Sequence, residues 1–452
     1  MTKKNAMQAI RAAFKDAKGE FVSGYPGYLA SSIIREFPEF RDSISERSAM
    51  SLAHMHSYLG KRALVVMKNA GLNDAALPFR NACDLGTNAG LVIVVSDDAQ
   101  GKMSENKQDS RFYSDVGKTL LLEPKTPGEA YKMTVEGFRL SEKYGLPVLL
   151  RVTNAVSNPF LTENIERKKL EKRKRRAKKS QSRWVLNPLT ASDITRRHKQ
   201  RYEKLVEYAE ESEFNRESGE GKSGVVYSQA ISPKQKKLTD GKSVFEIGTF
   251  PLPKEKLKRF NQKVESLEVL DEGEGFLEQK VCSVLSNVQP QNIAQRQNAQ
   301  GHMANVDYSS LFKLVKQRRA GVVVGDFGSY TLARESPVEY GLHYGGAISS
   351  ATGANISGVK KVYAVVGDGG FTHGVSGLAE AVKQRADINC VVIDNGGISG
   401  KRPTGMNLNK LARGNGATFV RRVDYEDLNR KTFDDMEKHK GLKVLIVNYK
   451  AN

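Results

Sequence analysis

The sequence predicts an α/β protein with two doubly wound parallel sheets and a smaller α/β domain between them. Near-continuous Val, Ile and Leu runs alternate with helical patterns in the first 160 residues and again in the last third of the chain. Such runs are typical of parallel strands covered by helices on both faces. A polar, basic span follows the first set. We therefore expect four units, residues 1–160, 161–221, 222–286 and 287–452.

The first unit combines five predicted strands with helices. A polar, amphipathic helix opens the chain and does not resemble a signal peptide. The clearest later helical patterns are residues 48–60 and 127–145. The predicted strands are residues 20–27, 62–71, 90–98, 119–124 and 147–156.

The second unit is a polar connector with predicted helical pieces. Its residues 167–179 carry ten Lys or Arg against one Glu, which supplies +9 of the formal net charge of +20. Such a run could bind nucleic acid, an anionic membrane or an acidic partner protein, and a solvated connector is the simpler interpretation. No aromatic residue interrupts the run, so nucleic acid bases would have no stacking platform.

The third and fourth units again alternate strands and helices. In the third unit, strands are predicted at 223–231 and 243–253, a helix at 253–264, and a strand followed by a helix within 266–281. The fourth unit begins with a loop-like stretch, 287–305, that is rich in Asn and Gln. Its predicted strands are residues 321–326, 361–368, 388–395 and 443–449.

Composition restricts the compartment and the metal chemistry. No apolar run approaches the roughly 20 residues that span a bilayer, and we expect a cytoplasmic protein. The three cysteines, Cys83, Cys282 and Cys390, are isolated and form no CxxC pair. This pattern excludes a zinc ribbon, fits a reducing compartment and favours simple core positions.

The motif with the clearest chemistry is "VGDGGFTHG", residues 366–374, directly after a predicted strand. Asp368 and Asn395 end two strands joined by one helix, and such strands are expected to be neighbours. Ligands of open α/β sheets bind beyond the carboxyl ends of strands. A carboxylate and a carboxamide there are oxygen ligands suited to Mg²⁺, while glycines and a helix beginning near Val375 favour a phosphate. The alternative is two unrelated strand-end turns.

A Gly-Asp-Gly followed after nearly thirty residues by Asn resembles the diphosphate motif of thiamine diphosphate enzymes. Within that superfamily, the chain is similar to the alpha subunit of indolepyruvate ferredoxin oxidoreductase, in collinear order over most of its length. The segments that carry this resemblance are 23–37, 61–79, 104–113, 141–157, 267–281, 323–333, 367–382 and 391–405.

The resemblance implies a pyrimidine-side domain, a diphosphate-side domain, and thiamine diphosphate with Mg²⁺ as cofactors. The implied metal ligands are Asp368, Asn395 and the carbonyl of Gly397. The positions that would line the diphosphate are Gly367, Gly369 and Gly370.

Glu46 matches the glutamate that, in this family, hydrogen-bonds the aminopyrimidine and promotes removal of the thiazolium C2 proton. A first-turn glutamate favourable to the helix dipole is the simpler alternative. His373 would contact substrate or stabilise charge, or else cap a helix or contact the diphosphate. The turn expected to face the cleft is Tyr25, Pro26 and Gly27, with Lys68 and Asn69 placed similarly.

The implied reaction is decarboxylation of a 2-oxo acid, and an aryl pyruvate is one candidate substrate. The relatives carry a ferredoxin-like module with iron–sulfur clusters, which this sequence lacks, so no such cluster is expected here. Either partner chains of ferredoxin-like or gamma type carry the electrons, or the enzyme is a stand-alone decarboxylase. Asn69 and the "GYL" at 27–29 depart from the family pattern near the cleft, which leaves the substrate open.

A third hypothesis is a nucleic-acid-binding or scaffold protein with a relic cofactor fold. The joint presence of Asp368, Asn395 and Glu46 argues against it, because a relic has no need of all three. We expect a homodimer or a hetero-oligomer, since such sites require a pyrimidine-side and a diphosphate-side domain face to face. The sequence leaves open whether one chain or two supply them.

Overall fold

The computed structural model describes residues 3–98, 108–172, 177, 180–228, 233–271, 274–286, 307–333, 335–396 and 405–449. The strands, numbered along the chain, are β1 (Lys3–Lys4), β2 (Phe21–Gly24), β3 (Arg41–Asp42), β4 (Ala63–Lys68), β5 (Leu91–Asp97), β6 (Leu120–Leu122), β7 (Val148–Thr153), β8 (Glu163–Asn164), β9 (Arg216–Ser218), β10 (Ser223–Tyr227), β11 (Ser243–Glu246), β12 (Thr249–Phe250), β13 (Ser266–Leu270), β14 (Val322–Gly325), β15 (Tyr340–Gly341), β16 (Val362–Gly367), β17 (Ile388–Asp394), β18 (Phe419–Asp424) and β19 (Leu442–Asn448).

The helices are numbered in the same way. They are α1 (Ala6–Asp16), α2 (Ala30–Ile34), α3 (Glu46–Tyr58), α4 (Asn69–Asp74), α5 (Ala76–Leu85), α6 (Phe112–Gly117), α7 (Pro127–Tyr144), α8 (Gln181–Trp184), α9 (Ala191–Glu211), α10 (Pro233–Lys236), α11 (Lys254–Lys263), α12 (Phe276–Leu285), α13 (Ser309–Gln317), α14 (Ala347–Ile356), α15 (Asp368–His373), α16 (Val375–Lys383), α17 (Leu408–Gly414) and α18 (Arg430–Glu437).

The first large sheet has the order β12-β6-β7-β5-β4-β2-β3 and is parallel except for β12, which runs antiparallel to β6. The apolar runs therefore form the parallel strands that the sequence predicts. The predicted single strand 243–253 divides at Gly248, so that β11 and β12 enter different sheets. The Gly248 N–H donates to Asn215 Oδ1 (2.9 Å), and a Cβ at Gly248 would lie 2.6 Å from the Phe214 carbonyl oxygen.

The second large sheet has the order β15-β14-β16-β17-β19-β18, and all its strands are parallel. Its four central strands match the four that the sequence predicts. The two edge strands were not predicted, because β15 has only two residues and β18 contains the exposed Arg421 and Arg422 in place of an apolar run. The α/β fold class with two doubly wound sheets is confirmed.

The two large sheets pack on each other through α3 and α14, and one continuous apolar core includes residues of both sheets. A Cβ at Gly353 in α14 would lie 3.0 Å from the Leu52 Cα in α3, so the two helices approach closely. Inside this interface, His54 Nδ1 lies 2.6 Å from the Tyr340 hydroxyl. The absence of a side chain at Gly353 therefore permits the close packing of the two helices.

The small sheet has the order β13-β10-β11-β9 and is tied to the first large sheet by the buried side chain of Arg111. Its guanidinium contacts Asp271 Oδ1 (2.6 Å), just past β13, and donates to Ser228 Oγ (2.9 Å), just past β10. Cys83 and Cys390 are core residues as expected, whereas Cys282 on α12 is exposed.

The start of the basic run is docked on the first sheet's helices. Arg167 pairs with Asp16 at the end of α1 (2.6 Å), the Leu170 N–H donates to the Asp16 carbonyl (2.9 Å), and Lys172 pairs with Glu20 (3.1 Å). Residues 165–172 form neither helix nor strand, in place of the helical pieces expected there. Among the described residues, no helix is both long and apolar enough to cross a membrane.

Candidate cofactor site

Each large sheet contains a switch point, where the chain leaves a strand towards one side of the sheet and later returns to pair on the other side of that strand. In the first sheet, β2 has β3 on one side and β4 on the other, and in the second sheet β14 lies between β15 and β16. In open α/β sheets, ligands bind outside the carboxyl ends of the strands at such points. The predicted site residues that follow β2, β3, β4 and β16 therefore lie at these two switch points, whereas Asn395 follows β17, the next strand beyond β16.

Asp368 directly follows β16 and is buried. It is the first residue of α15, so helical structure begins earlier than the Val375 predicted from the sequence. Its Oδ1 accepts a hydrogen bond from the Gly369 N–H (2.7 Å). A Cβ added at Gly367 would meet no atom within 4 Å, so the strand ends against open space that a ligand could fill.

Asn395 follows β17, the direct neighbour of β16. The register pairs Gly367 with Ile393, which places Asp368 and Asn395 just past the ends of adjacent parallel strands. Asn395 is half-buried, and Gly397 lies outside the described residues. In the part of the chain that the structure describes, no group of three or more His, Cys, Asp or Glu could hold a metal. One carboxylate and one carboxamide fit Mg²⁺ only where phosphate oxygens and water complete the shell.

Asp326, which directly follows β14, is a site residue that sequence reasoning did not single out. It is completely buried, and its Oδ2 accepts from the Gly345 N–H (3.0 Å). Its Oδ1 accepts from the Tyr330 hydroxyl (2.5 Å), and a Cβ at Gly370 would lie 2.0 Å from Oδ2. Burial raises the pKa of Asp326 to about 6, against the opposing effect of these hydrogen bonds. The sequence signal that could have identified Asp326 is "GDFG", residues 325–328, at the end of β14, the neighbour of β16.

The loop after β15 brings two polar rings, those of His343 and Tyr344, to the switch point of the second sheet. His343 is buried, and burial lowers its pKa to about 4, so the ring is neutral at pH 7. Its Nδ1 lies 3.0 Å from the Tyr344 carbonyl and its Nε2 lies 3.1 Å from Ser51 Oγ. His373 is exposed and packs edge-on against Tyr344 at 5.2 Å between ring centroids. No side chain caps α16, so His373 is not a capping residue.

Glu46 is the first residue of α3, as the sequence predicts, and Ser45 Oγ caps the helix by accepting from the Ser48 N–H (3.2 Å). A Cβ at Gly71 would lie 2.3 Å from Glu46 Oε1, so the carboxylate packs on the backbone of α4. Burial raises the pKa of Glu46, and the nearby Asp74 raises it further. Both effects favour the protonated form of this half-buried carboxyl.

The turn after β2 lies beside the end of β4. A Cβ at Gly27 would lie 3.0 Å from Lys68 Cδ, so Gly27 permits this contact, while Tyr25 and Pro26 are exposed. Asn69 is buried: its Nδ2 donates to the Gln108 carbonyl (2.8 Å), and its Oδ1 accepts from the Ala70 N–H (2.8 Å).

Both halves of the site meet within one chain. The Ile44 N–H donates to Glu380 Oε2 on α16 (2.7 Å), and Ser48 Oγ lies 3.5 Å from Ser349 Oγ on α14. These contacts fall two residues before and two residues after Glu46. The start of α3 is therefore held against the two helices that flank the Gly-Asp-Gly turn.

Part of the chain matches a known protein family. Residues 339–447 match the family model described as thiamine pyrophosphate enzyme, C-terminal TPP binding domain. The chain is 26% identical to the indolepyruvate oxidoreductase subunit IorA of Methanothermobacter marburgensis, over 98% of this chain and 85% of that protein.

Two solved structures share the fold. The thiamine diphosphate-dependent 4-hydroxybenzoylformate decarboxylase of Rhodococcus jostii RHA1 aligns over 99% of both chains with a TM-score of 0.55 and 15% identity. The 2-oxoglutarate:ferredoxin oxidoreductase of Magnetococcus marinus aligns over 64% of this chain and 61% of that chain, with a TM-score of 0.51 and 14% identity.

The match over residues 339–447 and the shared fold make the chain similar to the class of thiamine diphosphate-dependent enzymes. Within that class, its sequence resembles the alpha subunits of indolepyruvate oxidoreductases, and this resemblance is confirmed.

Proposed function

We propose that this chain binds thiamine diphosphate with Mg²⁺ and catalyses decarboxylation of a 2-oxo acid. It would act as the catalytic subunit of a 2-oxo acid:ferredoxin oxidoreductase-like enzyme whose electron-carrying subunits, of ferredoxin-like or gamma type, are other chains. The observation that carries this proposal is the position of Glu46, held beside the helices of the Gly-Asp-Gly sheet in the same chain. The name of the relatives favours an aryl pyruvate as substrate.

Thiamine diphosphate, when bound, supplies the carbon nucleophile and the electron sink for breaking the bond to the carboxylate. Asp368 and Asn395, with the Gly397 carbonyl, would hold Mg²⁺ on the diphosphate. Gly367, Gly369 and Gly370 would lie along the diphosphate, where their backbone amides could donate to phosphate oxygens.

On the pyrimidine side, Glu46 would exchange a proton with the aminopyrimidine ring, and its raised pKa favours that exchange. The turn Tyr25–Gly27 would form the wall of the cleft above it. His373 would face the substrate, since its ring is exposed beside Tyr344.

A stand-alone, non-oxidative decarboxylase is the second candidate. It is favoured by the three isolated cysteines, which cannot supply the ligands of an iron–sulfur cluster from this sequence. The two candidates differ in their need for an electron acceptor.

The decisive assay uses purified protein, thiamine diphosphate, Mg²⁺ and a panel of aliphatic and aryl 2-oxo acids, with and without a low-potential acceptor. Release of CO₂ and aldehyde without acceptor supports the decarboxylase, and strict acceptor dependence supports the oxidoreductase. Absence of thiamine diphosphate binding by calorimetry would contradict both.

Glu46→Gln tests the mechanism in the same preparation. We expect the variant to bind the cofactor but to lose rapid exchange of the cofactor's C2 proton, because an amide cannot carry the proton. Glu265→Gln, which removes an exposed glutamate paired with Lys222, is the control and should exchange normally. Wild-type exchange and turnover in Glu46→Gln would refute the assigned role.

A further inference from the structure

The backbone just before Glu46 is fixed on one side by the first sheet. The Ser43 N–H donates to the Gly24 carbonyl at the end of β2 (3.1 Å), and Ser43 Oγ lies 2.9 Å from Ser23 Oγ. Residues 42–44 therefore form a short, ordered bridge from β3 to the start of α3.

On its other side, this bridge is hydrogen-bonded to α16, a helix that joins two strands of the second sheet. Glu380 Oε2 accepts from the Ile44 N–H (2.7 Å), and Lys383 Nζ donates to the Ser43 carbonyl (3.2 Å). Gln384, directly after the helix, donates through Nε2 to the Asp42 carbonyl (2.9 Å). These three side chains lie within about one helical turn, and together they bind backbone groups of three consecutive residues. We call Glu380, Lys383 and Gln384 the α16 clamp.

Glu380 is the central member of the α16 clamp. It is completely buried, and its Oε1 accepts from Gln384 Nε2 (2.9 Å), so both carboxylate oxygens have donors. A hydrogen bond from a backbone N–H to a carboxylate is shorter and stronger than one between neutral groups. The bond to Ile44 therefore fixes the bridge firmly against α16.

The bridge leads directly into Glu46, which the proposed function places beside the aminopyrimidine of the cofactor. Ser45 caps α3, and Glu46 is its first residue, so no flexible residue separates Ile44 from Glu46. On the other side of the clamp, only Gly374 separates α16 from α15, which begins at Asp368. The clamp thus forms a continuous covalent and hydrogen-bonded path between Glu46 and the Gly-Asp-Gly turn.

We infer that Glu380 is a positioning residue, which sets the place of Glu46 relative to the diphosphate half of the site through the backbone of residues 42–44. This inference rests on the proposed function, because it assigns Glu46 to the aminopyrimidine. It assigns no chemical step to Glu380, which touches only protein groups.

The first arm of the test needs no cofactor. Amide hydrogen exchange by mass spectrometry compares wild type with Glu380→Ala and with Val382→Ala. Val382→Ala is the control, because the Val382 side chain lies on the same helix and is exposed. We expect faster exchange in peptides covering residues 42–48 of Glu380→Ala alone. Unchanged exchange in those peptides would overturn the inference, whatever the cofactor result.

The second arm measures thiamine diphosphate affinity by calorimetry and exchange of the bound cofactor's C2 proton. In Glu380→Ala we expect affinity to stay within about threefold of wild type and C2 exchange to fall roughly 10- to 100-fold, since small misplacements of catalytic groups cost about that much. Equal C2 exchange in Glu380→Ala and wild type would overturn the inference.

Two further variants keep the test decisive if Glu380→Ala fails to fold. Glu380→Gln keeps an oxygen that can accept from Ile44 and should recover most of the C2 exchange. Gln384→Ala removes the bond to the Asp42 carbonyl and the donor to Glu380 Oε1 but keeps the bond from Ile44 to Glu380, and it should slow C2 exchange by a smaller factor. If wild type itself fails to bind thiamine diphosphate, the proposed function fails, while the amide-exchange arm still decides whether the clamp holds residues 42–44.

Discussion

The buried carboxylate of Asp326 makes the stability of the second sheet depend on pH in a defined direction. Its pKa rises from 3.8 to about 6 because burial disfavours the charged form. The folded state therefore binds more protons than the unfolded state between about pH 4 and pH 6. The stabilisation is complete below about pH 4 and is lost as the pH rises through about 6, so the free energy of unfolding falls across this window.

The size of the effect follows from the two pKa values. The difference between 3.8 and about 6, at about 1.4 kcal/mol per pH unit, amounts to roughly 3 kcal/mol for this fully buried group. In Asp326→Asn the amide oxygen can accept from Gly345 and the NH₂ can donate to the Tyr330 oxygen. The variant keeps the local hydrogen bonds but cannot ionise.

Denaturant unfolding of cofactor-free protein at pH 4.5, 5.5, 6.5 and 7.5 measures the effect. The stability of Asp326→Asn minus that of wild type should increase by roughly 2 kcal/mol from pH 4.5 to pH 7.5, because about a third of the full effect has already been lost from wild type at pH 4.5. Other titrating groups cancel in this difference. Asp240→Asn, which removes an exposed carboxylate, should show a flat difference. A flat difference for Asp326→Asn as well would refute the reasoning.

Two other substitutions test the two halves of the site. Gly71→Ala would place a Cβ 2.3 Å from Glu46 Oε1, at the flexible end of that side chain. We therefore expect slower exchange of the cofactor's C2 proton and a thermal midpoint of unfolding near that of wild type. A large loss of stability would show that the backbone of α4 moves instead. Asp368→Ala should abolish the Mg²⁺ dependence of thiamine diphosphate binding in calorimetry, and a binding constant that still responds to Mg²⁺ would contradict the assignment of Asp368 as a metal ligand.

The central strands and the switch-point residues could be predicted from the sequence because their signals are local. An apolar run ending in Gly-Asp-Gly gives both the strand β16 and the position of Asp368. The pairing of β16 with β17 also followed, because one helix joins them and such connections usually link neighbouring strands. Glu46 was found through its resemblance to the family pattern at a helix start.

The α16 clamp and the buried carboxylate of Asp326 could not be predicted, because both are formed by contacts between distant parts of the chain. Glu380 reads as an ordinary polar residue of an amphipathic helix, and it binds Ile44, 336 residues earlier. Asp326 reads as a strand-end turn residue until Gly345 and Gly370 close on it. The edge strand β18 escaped prediction for a local reason, since its arginines interrupt the apolar pattern.

Helix α3 links catalytic geometry to the cohesion of the two sheets. Its first residue is Glu46, and from Ser48 to Tyr58 all its residues are buried, most of them against α14 or the core around it. The buried pair His54 and Tyr340 fixes the middle of the helix, and the hydrogen bond of Ile44 to Glu380 fixes the segment before its start. A rigid helix held at both places cannot shift at its start without disturbing its packing. The position of Glu46 is therefore determined by the same contacts that join the two sheets, and substitutions within this interface should alter proton exchange at the cofactor together with stability.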